Sequence, residues 1–404
     1  MAKKIILQNQ LIRTVSLIVT PDDSWGRGVI RGAVDFANNH AHWRLRIFPP
    51  ENIRHLNKQT DWLGDGVVAL IGSSAMAEKL LAFGIPVVDL DTVVLERTGK
   101  LFGHVITNDF QRAQFALDHF QEKGILNFAG YAPPSQRYSH VRMNIFQKKV
   151  EKEGLHCDMF QYKSRRHWWK LRVEEQQEFI LPWLKSLPER TGVFTPDAHQ
   201  ARQLSETCQF NDVRIPEQIA IIAGDMDELL CSVSQPPLTS ILLASQQHGF
   251  EAVQLLQRMM EGNAAPKNPI QINPLRVIPR ASTDVLYLDD PLIVQAIYYI
   301  RNHACKGIDV SDVLKEVPIS RRAMELKFKQ LIGHTPAQEI KRVKLDKAKE
   351  MLIETKSSVD LISRVCGFSN ATQFCVIFRK QFDETPLSFR KRNDLRSELK
   401  TSFD

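Results

Sequence analysis

From residue 14 to about residue 284, short apolar runs alternate with amphipathic stretches; beyond 290 the pattern becomes purely helical. The runs at 15–20, 66–71, 85–90, 127–130, 192–195 and 219–223 are compact and rich in Val, Ile or Phe, which predicts strands. Between them lie helical patterns such as 110–123, with apolar positions at Phe115, Leu117 and Phe120, and 143–153, stopped by Gly154. That alternation predicts an α/β fold of βαβ units around parallel, doubly wound sheets. Such sheets bind small molecules at the carboxyl ends of their strands, so polar residues just after strands carry the most weight. The change of pattern places a sensor-like domain at 1–284, a short linker at 285–290 and an all-α domain at 291–404.

The helical part repeats one plan. A first unit, at about 311–332, breaks at Pro318-Ile319-Ser320 and restarts at Arg321, with Met324, Phe328 and Leu331 as its inward stripe. A second unit, at about 358–382, turns at Cys366-Gly367-Phe368-Ser369 and restarts at Asn370, with Phe374, Ile377, Phe378 and Phe382 inward. This is the pattern of two helix-turn-helix units, in which the second helix of each enters a major groove about 12 Å wide. Arg321, Arg322, Glu325 and Lys329 face outward in the first unit, and Asn370, Thr372, Gln373 and Arg379 in the second. Asn, Gln and Arg can each read base edges with two hydrogen bonds. A long helix at 335–355, carrying Ile340, Val343, Leu345, Ala348 and Leu352, joins the units as a rod. It would present both recognition helices to successive major grooves, roughly 34 Å apart.

Composition narrows the classes. A chain of 404 residues with 43% hydrophobic content suits two or three ordinary globular domains. No apolar run is long enough to cross a bilayer and no signal-peptide pattern opens the chain, so a cytoplasmic protein without membrane association is expected. The six cysteines form no C-x-x-C pair and read as reduced, buried thiols. Of the net charge of +7, most lies in the helical part, where 21 Lys and Arg face 16 Asp and Glu. No nucleotide-binding, serine-hydrolase or zinc-protease motif occurs, so neither catalysis nor a cofactor is expected.

The segment with Ala348-Lys349-Glu350-Met351-Leu352, Ile362, Cys366-Gly367-Phe368, Phe374, Phe378-Arg379-Lys380 and Thr385-Pro386 resembles the signature of AraC/XylS-type transcription activators. Asp383 stands where that family usually has glycine, and aspartate tolerates the left-handed backbone moderately well. The front part resembles the periplasmic-binding-protein-like sensor of LacI-type regulators. That likeness rests on Asn108-Asp109 with Ala113 and Gly124, Arg142 with Phe146 and Gly154, the segments 215–225 and 236–241, and Arg280-Ala281-Ser282-Thr283. Joining these two parts is the architecture of xylose-responsive activators, which the pieces 61–67 and 296–308 also resemble.

The resemblance implies a sugar effector between two lobes. Sugar hydroxyls call for carboxylates and Arg or Asn, and a sugar's C–H face for an aromatic wall. Residues at strand ends supply that set: Trp25, Asp89, Asp91, Asp197 and Asp225, with Arg142 opening a helix. By position in the family pattern Arg142, Asp197 and Asp225 form the polar clamp and Trp25 the stacking wall; Leu243 stands where such sensors often have a polar contact. The plainer alternatives are a helix cap for Asp225, a core residue for Trp25 and a surface ion pair for Arg142. Neither Asp89-Leu90-Asp91 nor Asp225-Met226-Asp227-Glu228 has a His or third carboxylate spaced beside it, so no metal is expected. The Arg165-Arg166-His167-Trp168-Trp169-Lys170 cluster reads as a loop or a subunit contact.

Together these readings describe a sugar-responsive activator of pentose, foremost xylose, catabolic genes. Its expected partners are an operator duplex, a small sugar, RNA polymerase and a second copy of the chain. The competing readings are a regulator answering a different small polar ligand, a DNA-binding protein with a non-functional sensor, and a sugar enzyme.

Overall fold

The computed structural model describes residues 6–7, 10–41, 43–57, 62–97, 99–134, 137–164, 167–284, 290–355 and 357–393. Asp61, the pair Arg165 and Arg166, and linker residues 285–289 lie outside the described residues. The chain forms two compact units, Met1–Val285 and Leu286–Asp404. No described helix is long and apolar enough to cross a membrane.

The first unit holds two six-stranded sheets. In the first sheet the strands run side by side as Ile270–Ile272, Phe102–Thr107, Val87–Asp89, Gly66–Ala69, Thr14–Ile18 and Arg44–Phe48, all parallel. In the second the order is Arg276–Ile278, Thr239–Leu242, Ile219–Ala223, Thr191–Thr195, Asn127–Gly130 and Cys157–Met159, with only the first pair antiparallel. The chain passes between the sheets after Thr107, after Leu242 and between Ile272 and Arg276, which makes two lobes from interleaved segments. All six strand runs read from the sequence are present. The others lack a continuous apolar run: Arg44–Phe48 is an edge strand with polar alternation, and Phe102–Thr107 contains a buried His104.

Helix starts line up at the carboxyl ends of these strands. Ser24–Phe36 is capped by Asp23, Asp109–Glu122 by Asn108, Ala198–Phe210 by Asp197 and Glu228–Val233 by Asp227, each side chain accepting a backbone N–H of the first turn. Ser24–Phe36 packs on Ser245–Met260 so closely that a Cβ on Gly249 would lie 2.0 Å from the Val29 carbonyl oxygen. This contact fixes Trp25 beside His248 at the mouth of the first lobe.

The second unit is all helical: Pro291–His303, Val310–Glu316, Arg321–Ile332, Pro336–Glu354, Val359–Val365, Ala371–Phe382 and Pro386–Asn393. The two helix-turn-helix units are in matching register. Their recognition helices begin after caps Ser320 and Asn370 and end at left-handed residues Gly333 (φ +81°) and Asp383 (φ +59°). Asp383 thus takes the glycine conformation that its place in the resemblance implies. One inward residue differs from expectation: Leu331 is 43% exposed, while Ile332 packs on the core with Met324 and Phe328. Eight residues after Met324, Ile332 falls nearer the buried side of the helix's final turn than the 3.6-residue repeat suggested.

Candidate effector cleft and DNA-reading face

Between the lobes, charged side chains from several strand ends converge. Arg112, in the second turn of Asp109–Glu122, is 1% exposed, yet none of its guanidinium nitrogens has a hydrogen-bond partner among the described residues. Its Nε lies 3.2 Å from Asp109 Oδ1, and Arg142 Nε lies 3.7 Å from the same oxygen. Arg142 also donates from Nη1 to the Pro196 carbonyl at 3.0 Å and sits 4.2 Å over the Tyr138 ring. Burial, followed by the nearby charge of Arg142, lowers Arg112 to about 10.

Carboxylates face these cations. Asp225 accepts from the Ala198 backbone at 2.9 Å; burial, then the charge of Asp197, pushes it up to about 6 against the pull of Arg142 and Arg112. Asp91 accepts from Thr92 N at 2.6 Å and is raised by burial, with Arg142 the largest opposing influence. Asp89 and Asp197 are engaged by the protein itself. Asp89 accepts from Ile71 N and Asp91 N and faces His104 Nδ1 at 3.5 Å. Asp197 accepts from Gln200 N, Gln200 Nε2 and the Tyr138 hydroxyl. The helix that follows Asp225 is capped by Asp227 instead, while Asp197 caps Ala198–Phe210, the helix whose first N–H Asp225 receives.

Trp25 is half-buried and meets the His248 ring edge-on at 5.5 Å. His248 Nε2 bonds the Val105 carbonyl at 2.7 Å, and burial drops its pKa to about 4. A carbonyl only accepts, so Nε2 carries the proton and the buried Nδ1, which has no hydrogen-bond partner among the described residues, is an acceptor. Leu243 is buried. At the lip of the cleft, Ser24 N and Oγ both donate to Asp227 Oδ2 at 3.0 Å, tying the first lobe to the second. Burial opposes ionisation of Asp227, but bonds from Leu230 and Ser24 hold its carboxyl below the usual range.

On the reader, Arg321, Arg322, Glu325, Lys329, Asn370, Thr372, Gln373 and Arg379 are all exposed. Arg321 pairs with Glu325 at 3.2 Å, Asn370 Oδ1 caps Gln373 N, and Gln373 Oε1 accepts from Ser369 Oγ. Two further residues stand out: Leu326 (57% exposed) and Val376 (64%) occupy the same place in their respective recognition helices. Arg322, Leu326 and Lys329, and likewise Thr372, Val376 and Arg379, recur at i, i+4 and i+7 and form one outward stripe per helix. An exposed aliphatic group on such a stripe suits contact with a thymine methyl.

Arg112, Tyr138, His248, Leu326 and Val376 are absent from the residues singled out in the sequence. Arg112 carried one usable signal, its i, i+3 spacing from Asp109 at the end of a strand. His248 carried another, its place one turn into the helix after Thr239–Leu242.

Residues 117–283 match the periplasmic binding protein-like domain family, and 313–392 match a helix-turn-helix domain family. The xylose operon regulatory protein of Escherichia coli K12 is 32% identical over 387 residues, covering 94% of this chain and 97% of that protein. The protein of the same name from Haemophilus influenzae is 30% identical, covering 93% and 97%. The solved structure of the xylose-binding transcription activator xylR is 30% identical and superimposes with a TM-score of 0.78 over 95% of this chain and 98% of that one. The chain therefore belongs to the family of the xylose operon regulatory proteins, DNA-binding transcription regulators in which a periplasmic-binding-protein-like sensor precedes a paired helix-turn-helix reader.

Proposed function

We propose that the cleft encloses a pentose, xylose first among them, and that its capture controls occupancy of an operator by the reader, switching on pentose catabolic genes. The buried guanidinium of Arg112, ion-paired to Asp109 but without a hydrogen bond among the described residues, carries this reading. A cation held out of water without hydrogen bonds is costly, and sugar hydroxyls would supply the acceptors it lacks. Arg142, Asp91 and Asp225 would complete the polar clamp, and Trp25 with His248 would form the wall. Asp89 and Asp197 would brace these residues. Two relatives named for the xylose operon, matched end to end, favour the same sugar. The protein would act in the cytoplasm as a homodimer and contact RNA polymerase at the promoter.

A thermal-shift screen of the purified chain against pentoses and hexoses tests this. A ligand that binds only the folded sensor adds about 2.7 kcal/mol at a hundredfold excess over its Kd, so xylose should raise the sensor's melting temperature by several degrees. DNase footprints should then change on addition of xylose. A sensor whose melting no sugar alters would refute the proposal.

The clamp should also be pH-dependent. Asp225 titrates at about 6, above its ordinary value, so at neutral pH it is ionised and able to accept hydroxyl protons, and below that point it is neutral. Sugar affinity should therefore fall up to about tenfold per pH unit below 6. Calorimetry at pH 7.5 and 5.0 should show the loss, and Asp225→Asn should bind weakly with a shallower profile, the remainder belonging to Asp89, which burial also raises to about 6. An equal slope in both proteins would place the titrating group elsewhere.

A further inference from the structure

The reader contains two separate apolar cores. Ile293, Ile297, Val313, Met324, Phe328 and Ile340 belong to one; Leu345, Leu352, Ile362, Phe374, Phe378 and Phe389 belong to the other. The helix Pro336–Glu354 feeds both, and its contribution changes hands between Ile340 and Leu345. Lys344 sits at that division. Its ammonium donates to the Gly367 carbonyl at 2.8 Å, reaching the turn of the second helix-turn-helix unit.

The same turn touches the first unit from its other side. Gly367 has φ +72°, and a Cβ there would stand 2.7 Å from the Cys305 carbonyl oxygen and 3.1 Å from that of Ala304. These two residues begin the short turn Ala304–Lys306 that ends the reader's leading helix. The turn of the second unit is thus held between the connecting helix and the end of the first unit. Beside it lies an open groove of about 650 Å³, lined by Lys306, Lys341, Arg364 and Gln373 among others, so dry apolar packing does not seal the units together there. A connecting helix alone leaves bending and twisting free, whereas a backbone contact with a half-buried charge-assisted bond restrains both.

We propose that Lys344, Gly367 and the Cys305 carbonyl form a spacing junction. It sets the separation and twist of the two recognition helices, and with them the distance between half-sites that the reader accepts. Lys344 is a positioning residue, since it acts through the turn and not through a base. The inference rests on one chain reading two half-sites.

The test uses the full-length chain and the duplex it selects most strongly from a random pool. That duplex is compared with copies carrying one or two base pairs inserted or removed between half-sites, and with a duplex keeping a single half-site. Lys344→Met should lose at least tenfold in affinity on the selected duplex and less than twofold on the single half-site. It should also discriminate less than the parent among the altered spacings. Lys344→Arg, which keeps a cationic donor, should restore the discrimination. Equal losses on every duplex, with a shallower salt dependence, would make Lys344 a phosphate contact and overturn the junction. So would an unchanged spacing preference in Lys344→Met, or an Lys344→Arg variant that behaves like it. If the parent selects only a single half-site, the two-site reading fails first and separately.

Discussion

Phe378→Ala should abolish specific operator binding while leaving the melting transition of the sensor in place. The ring is 0% exposed and sits among Phe374, Phe382 and Phe389 at centroid distances of 5.5, 4.6 and 5.4 Å. Removing a buried Phe side chain costs about 3–5 kcal/mol, because both the transferred surface and the cavity count against the fold. A core this small supplies little more than that, so the second helix-turn-helix unit should melt near room temperature. The sensor has its own cores and belongs to a different compact unit, so it should not follow. Calorimetry should show the sensor transition unmoved and the reader transition lowered or lost. Gel shifts should show specific binding reduced at least a hundredfold. A Phe378→Ala reader that melts within a few degrees of the parent would mean that the four-ring cluster contributes far less than its burial implies.

What the sequence made legible follows from how burial is written in side-chain chemistry. The strand Ile219–Ala223 is apolar throughout because helices cover both its faces, and it was read to the residue. The matched turns at Pro318 and Gly367 were equally plain, since a tight helix-turn-helix leaves few alternatives there. Phe102–Thr107 was missed because His104 interrupts it, and that imidazole is buried only because the Arg97 carbonyl and Asp89 receive it. The cleft was harder still. Asp89 and Asp225 look alike as strand-end carboxylates and both accept backbone amides, yet Asp89 faces an imidazole and Asp225 two guanidinium groups. Arg112 reads as an exposed helical charge, because nothing local says that the second lobe closes over it. Leu326 and Val376 mislead in the opposite sense: aliphatic residues in recognition helices suggest core, and only their outward stripe shows otherwise.

Arg112 therefore offers the sharpest division between a residue that holds the fold and one that holds a ligand. A guanidinium removed from water without hydrogen bonds destabilises the unliganded protein, but removing one member of the buried Arg112–Asp109 pair also destabilises, because it strips a buried carboxylate of one of its cations. In Arg112→Met the neighbouring Asp109 keeps Arg142 at 3.7 Å, but that one guanidinium then faces Asp91, Asp109 and Asp225. The two effects oppose each other, so the melting temperature of the unliganded sensor should change by only a few degrees. Sugar binding should be lost. Hydrogen bonds to a charged group contribute about 1.5–3 kcal/mol each, so losing even two of them lowers affinity by a hundredfold or more. The xylose-induced shift should vanish, and with it the footprint change, while basal DNA binding persists. If Arg112→Met melts several degrees lower and still shifts with xylose, Arg112 is a brace of the fold, and the effector must be held by Arg142, Asp91 and Asp225 without it.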